Sequence, residues 1–167
     1  MKIDKTLASR SRKIRVLIVD DSAVVRRALT EIIQSDPAME VMAAAGDPFV
    51  AAEKLRHELP DVIVLDVEMP RMDGISFLKK LMAQHPIPVV ICSSLVADKS
   101  DTYVEAMAAG AVDVICKPQM GVKDFLSESN LAIRDTIRAA SRARLGSLRP
   151  QKIETRLNAD AILAPPG

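Results

Sequence analysis

Five short apolar runs, each followed by a segment of helical period, leave this chain few ways to fold. The runs are residues 16–19 (VLIV), 40–45 (EVMAAA), 61–65 (DVIVL), 88–92 (PVVIC) and 111–116 (AVDVIC). Between them the periodicity changes. After Asp20 and Asp21, Ser22 is a good helix N-cap, and Val25, Ala28, Leu29, Ile32 and Ile33 share one helical face before Asp36-Pro37 ends it. Asp47-Pro48 supplies an N-cap with proline at the first helical position, and that helix is predicted to run to about Glu58. Phe77, Leu78, Leu81 and Met82 mark the inward face of a third helix. A fourth covers residues 101–109 and stops at Gly110, a residue suited to the position just past a helix. The last starts near Val122 and continues through Leu126, Ile133 and Ile137 towards Arg144. Strands that are apolar to their tips and alternate with helices predict an α/β domain whose parallel sheet is covered on both faces.

Composition agrees and excludes several classes. The apolar fraction of 49% is ample for a core, while aromatics at 2% mean that aliphatic residues must build it. No stretch approaches the roughly 18 unbroken apolar residues of a membrane span, and the basic N-terminus lacks the apolar core of a secretory signal. A cytoplasmic protein without membrane insertion is expected. Residues 1–13 carry five basic and one acidic side chain, residues 14–126 eleven and seventeen, and residues 127–167 seven and four. An acidic body between basic ends argues against nucleic-acid binding. The boundaries follow: a basic tail over residues 1–13, a domain over 14–144, and a proline-containing linker over 145–167.

The polar residues stand where the apolar runs stop. Asp20 and Asp21 follow the first, Asp66 the third, Ser93 the fourth and Lys117 the fifth. In an open parallel sheet, ligands bind beyond the carboxyl ends of the strands, so all five are expected to face one crevice. Aspartates in turns are commonly no more than caps. A set spread over four strand ends is harder to explain that way. Three clustered carboxylates repel one another, and a divalent cation removes the conflict. An all-oxygen ligand set points to Mg²⁺.

The segments VLIVDDS, VLDVEMPRMDG, VICSS and CKP resemble, in order and spacing, the signatures of bacterial response-regulator receiver domains. The resemblance implies a flavodoxin-like (βα)₅ fold and a phosphoaccepting Asp66. It also implies Mg²⁺ ligation by Asp21 and Asp66, by Asp20 through water, and by the backbone carbonyl of Glu68, with Ser93 and Lys117 meeting the phosphoryl oxygens. The chain departs from many receivers three positions before the lysine, where Val114 replaces an aromatic residue; Tyr103 is the one tyrosine.

Glutamate two residues after Asp66, the SSL triplet at 93–95 and the NADAILAPP stretch at 158–166 are similar to the receiver half of chemotaxis protein-glutamate methylesterases. That likeness implies phosphorylation by a chemotaxis histidine kinase, control of a C-terminal methylesterase domain outside this sequence, and chemoreceptors as further partners. By itself the chain would only accept and lose a phosphoryl group. A stand-alone receiver would need no catalytic partner, and the long linker argues against it; the receiver half of a transcription factor would share every receiver residue. An aspartyl-phosphate hydrolase would want an aspartate where Glu68 stands, and Asp20-Asp21 would repel the phosphate of a flavin. Cys92 and Cys116 are expected to be reduced, largely buried thiols, His57 and His85 solvated, and the eight methionines aliphatic filler.

Overall fold

The computed structural model describes residues 12–68, 74–93, 101–117 and 123–143. The expected N-terminal tail as far as residue 11, the loop segment 69–73 with Asp73, Ser94, Pro118 and the expected linker lie outside the described residues. Five strands alternate with five helices among the residues described: β1 (Ile14–Val19), α1 (Ala23–Gln34), β2 (Met39–Ala45), α2 (Pro48–His57), β3 (Val62–Asp66), α3 (Gly74–Gln84), β4 (Val89–Ser93), α4 (Asp101–Ala109), β5 (Asp113–Cys116) and α5 (Lys123–Ala140). The strands form one parallel sheet in the order β2-β1-β3-β4-β5, the flavodoxin-like (βα)₅ fold.

The apolar strands divide their side chains between two cores, because successive residues of a strand point to opposite faces. Leu17, Val19, Ile63, Leu65, Val89 and Ile91 pack with Ala51, Leu55, Phe77, Leu78, Leu81 and Ala106, beneath α2, α3 and α4. Val16, Ile18, Val62, Val64, Val90 and Cys92 pack with Leu29, Ile32, Ile33, Ile133 and Ile137, beneath α1 and α5. This is why β3 and β4 are buried along their whole length and show no alternation of polar and apolar residues. The edge strands β2 and β5 are only partly covered. Burial of each such aliphatic side chain contributes about 1.5–3 kcal/mol.

Helix starts and stops follow local chemistry. The Ser22 and Asp47 side chains accept from the backbone N–H groups of Val25 and Val50, as caps should. Gly110 ends α4 with φ of 118°, a conformation that L side chains rarely adopt. Met39 is buried, and Met42, Met82 and Met107 pack against the first core, which fits their role as filler. The described cysteines are free, Cys92 buried and Cys116 half-buried. Strand alternation sends them apart: Cys92 joins the second core, and Cys116 follows Ile115, which also belongs to it, so Cys116 turns to the other face. His57 is exposed beside Glu53 at 3.3 Å. The expectation for His85 needs correction. It is half-buried, and its Nδ1 is out of solvent without a hydrogen-bond partner among the described residues, because the turn from α3 must return Ile87 to the core.

Candidate functional site

The topology reverses direction beside β1: the chain goes outward to β2, then returns across β1 to β3. Crevices form at such switch points, at the carboxyl ends of the strands. Here the tips of β1 and β3 lie side by side, with β4 and β5 next in order. Asp20 and Asp66 are thereby delivered from adjacent strands, and Ser93 and Lys117 from the following two.

Each tip is held by backbone. The Asp20 N–H donates to the Ala45 carbonyl at 3.0 Å, and the Arg26 guanidinium donates to the Asp20 carbonyl at 2.7 Å. The Lys117 N–H donates to the Ser93 carbonyl at 3.1 Å, tying the ends of β5 and β4 together. Gly74 starts α3 against the tip of β3. A Cβ there would stand 2.6 Å from the Val67 Cα and 2.8 Å from the Asp66 carbonyl oxygen, so only glycine permits this approach.

The side chains converge. Asp20, Asp21 and Asp66 each offer a carboxylate oxygen, and these atoms lie within 4.8 Å of one another. Lys117 Nζ stands 3.3 Å from Asp66 Oδ1, 3.6 Å from Glu68 Oε1 and 3.7 Å from Asp20 Oδ2. Asp66 Oδ1 also accepts the Glu68 N–H at 2.7 Å, and Asp20 Oδ1 accepts the Ser22 N–H at 2.8 Å. Their second oxygens differ. Asp20 Oδ2 and Asp66 Oδ2 are both buried and have no hydrogen-bond partner among the described residues. Buried carboxylate oxygens are normally satisfied, and two left beside an exposed third acid form a donor set that suits a hard cation.

Electrostatics express the same strain. Asp66 is fully buried, and its carboxyl is pushed up from 3.8 to about 6, chiefly by desolvation, with the charge of Asp20 adding to the rise. The Glu68 N–H and Lys117 pull the other way. Asp20 is raised as well, again mainly by burial. Burial alone would lower Lys117, but Asp20, Asp66 and Glu68 outweigh it and the ammonium is held above its usual range. Burial also raises the Cys92 thiol, which makes it a poor nucleophile.

All the expected side chains that fall within the described residues are therefore in one crevice: Asp20, Asp21, Asp66, Ser93 and Lys117. Two contributors escaped the sequence reading. One is the Glu68 carboxylate, expected only for its backbone carbonyl, whose Oε2 accepts from the Ser93 Oγ at 2.8 Å. The other is Arg26, one turn into α1, whose spacing from Asp20 was the available signal. Val114 is half-buried and packs against the first core, on the face it shares with α4.

Known proteins point the same way. The family model described as "Response regulator receiver domain" matches residues 16–127. A protein-glutamate methylesterase/protein-glutamine glutaminase of Geobacter metallireducens is 58% identical over 159 residues, covering 93% of this chain and 45% of the relative. The chain thus spans about half the length of the curated relatives it matches. The crystal structure of the response regulator domain of Thermotoga maritima CheB is 40% identical with a TM-score of 0.72, over 80% of this chain and 99% of that one. A chain in the crystal structure of the P1 domain of CheA3 in complex with CheY6 from R. sphaeroides is 32% identical with a TM-score of 0.63, over 77% of this chain and 98% of its own. Fold, crevice and relatives agree: the chain belongs to the response regulator receiver domain family and, within it, is similar to the regulatory domain of chemotaxis methylesterases.

Proposed function

We propose that this chain is a phosphorylation switch in which Asp66 is the phosphoacceptor, and that it controls a protein-glutamate methylesterase domain joined beyond residue 167. The observation that carries the reading is the pair of buried oxygens on Asp20 and Asp66 without hydrogen-bond partners among the described residues, in a crevice that also holds the Lys117 ammonium. Asp66, Asp21 and Asp20 would hold Mg²⁺, Asp20 through water, with the Glu68 backbone carbonyl as a further ligand. Bound there, the cation supplies positive charge that lets an anionic phosphoryl group approach an anionic carboxylate.

The residues then have distinct work. The Asp66 carboxylate attacks phosphorus in line; an O–P bond forms as the donor's P–N or P–O bond breaks, its electron pair leaving with the donor atom. Lys117, already paired with Asp66, follows the charge to a phosphoryl oxygen. The Ser93 hydroxyl donates to another and draws the end of β4 inward, the movement that other surfaces can read. A chemotaxis histidine kinase is the proposed phosphodonor, supported by the likeness to a chain of the CheA3 P1–CheY6 complex. The methylesterase domain rests on the names of relatives that extend well past the matched region. Residues 145–167 would then be the linker to it, residues 1–13 a basic tail, and methylated chemoreceptors the substrates.

Acetyl phosphate with Mg²⁺ should add the mass of one phosphoryl group to the intact chain, and Asp66→Asn should abolish the addition. Undiminished uptake by Asp66→Asn would place the phosphoacceptor elsewhere. For the coupled enzyme, methanol release from methylated receptors should rise with phosphodonor by about 5- to 150-fold, the range of a modest coupling energy.

A further inference from the structure

Ser93 and Lys117 are, on the reading above, the side chains that a phosphoryl group on Asp66 must recruit. Both are already engaged by one carboxylate, and it belongs to neither strand-tip aspartate. The Ser93 Oγ donates to Glu68 Oε2 at 2.8 Å, while Lys117 Nζ lies 3.6 Å from Glu68 Oε1. The two oxygens of Glu68 thus span a hydroxyl and an ammonium, as two oxygens of a phosphoryl group would. The side chain is held in place. Its exposure is 24%, and its own N–H is bonded to Asp66 Oδ1 at 2.7 Å, so the backbone that carries it is anchored to the acceptor.

We propose that the Glu68 carboxylate is an internal stand-in for the phosphoryl group, holding Ser93 and Lys117 in the unphosphorylated state and surrendering them when Asp66 is modified. The proposal rests on Asp66 being the phosphoacceptor. Glu68 is then a positioning residue that sets the balance of the switch. The phosphorylated arrangement is favoured only by the difference between two anions competing for the same donors. Ser93 counts most, because Lys117 keeps Asp66 and Asp20 as neighbours whichever way Glu68 points.

A simple repulsion between Glu68 and an incoming anion would also disfavour phosphorylation, and shortening the side chain separates the two. Glu68→Asp keeps the charge nearby but withdraws it by one methylene, out of reach of the Ser93 hydroxyl. The test is the dissociation constant of beryllofluoride, with Mg²⁺, for the full 167-residue chain. A charge-assisted hydrogen bond contributes enough that Glu68→Asp and Glu68→Ala should each tighten binding by about fivefold or more. In a Ser93→Ala background, Glu68→Asp should change the constant by less than about twofold, since no hydroxyl remains to be released. A second readout needs no metal. In Mg²⁺-free buffer, Glu68→Asp should shift the Ser93 amide and Lys117 side-chain resonances.

Tightening in Glu68→Ala but not in Glu68→Asp means that charge alone acts and overturns the proposal. So does an effect of Glu68→Asp that persists without the Ser93 hydroxyl, or unmoved resonances in the metal-free protein. These failures differ from failure of the underlying reading. If the unsubstituted chain does not bind beryllofluoride, or Asp66→Asn binds it equally well, the phosphoacceptor assignment falls and the role of Glu68 with it.

Discussion

Burial gives Asp66 an acid–base behaviour unlike that of a surface aspartate, and the sign of its effect on stability follows. Its carboxyl is pushed from 3.8 to about 6, so the folded chain holds its proton more tightly than the unfolded chain does. That contribution is present in full below about pH 3.8 and is lost as pH rises through about 6. In Mg²⁺-free buffer, thermal unfolding should show a loss of stability across this window that Asp66→Asn lacks; identical pH profiles for the two proteins would contradict it. Cation binding runs the other way, since ligands must be deprotonated, and should tighten as pH rises through the same window. The place of Asp66 in the crevice was legible from its position after an apolar run. The reach of the Glu68 side chain was not, because sequence says which residue follows a strand and not which way a half-buried carboxylate turns.

At the scale of elements, caps and strand tips carried most of the legible information. Ser22, Asp47 and Gly110 act as their residue types predict, because each satisfies a local backbone demand within a few positions. Sheet order was legible only through the resemblance to receiver domains, while the partial cover of β2 and β5 and the irregular register of β1 against β2 after Val16 depend on distant partners and were not readable. Gly74 joins the two scales. It sits in a local Asp-Gly pair, yet the reason for glycine is the approach of α3 to the backbone of β3. Gly74→Ala should therefore destabilise the chain by roughly 1–3 kcal/mol, the range of an overpacked site. It should also weaken Mg²⁺ binding by displacing the Asp66 carbonyl and the segment after it. Calorimetry with and without Mg²⁺ measures both, and unaltered melting of the Gly74→Ala protein would refute the close approach.

For the whole molecule, the parallel order β2-β1-β3-β4-β5 turns residues far apart in sequence into one crevice and leaves two cores beneath opposite sets of helices. Because the cation would bind only the folded arrangement, it should stabilise the entire domain. At ten times its dissociation constant, Mg²⁺ should add about 1.4 kcal/mol, seen as a higher unfolding temperature that Asp21→Asn largely removes. No helix among the described residues is long and apolar enough to cross a membrane. If the carboxylate at the tip of β3 takes the phosphoryl group, its product is an acyl phosphate, which hydride reduces to an alcohol. After treatment with phosphodonor and Mg²⁺, borohydride should convert residue 66 alone to homoserine, located by peptide mass spectrometry. Homoserine at another aspartate, or an unreduced residue 66 in a chain that has gained phosphate, would contradict the account.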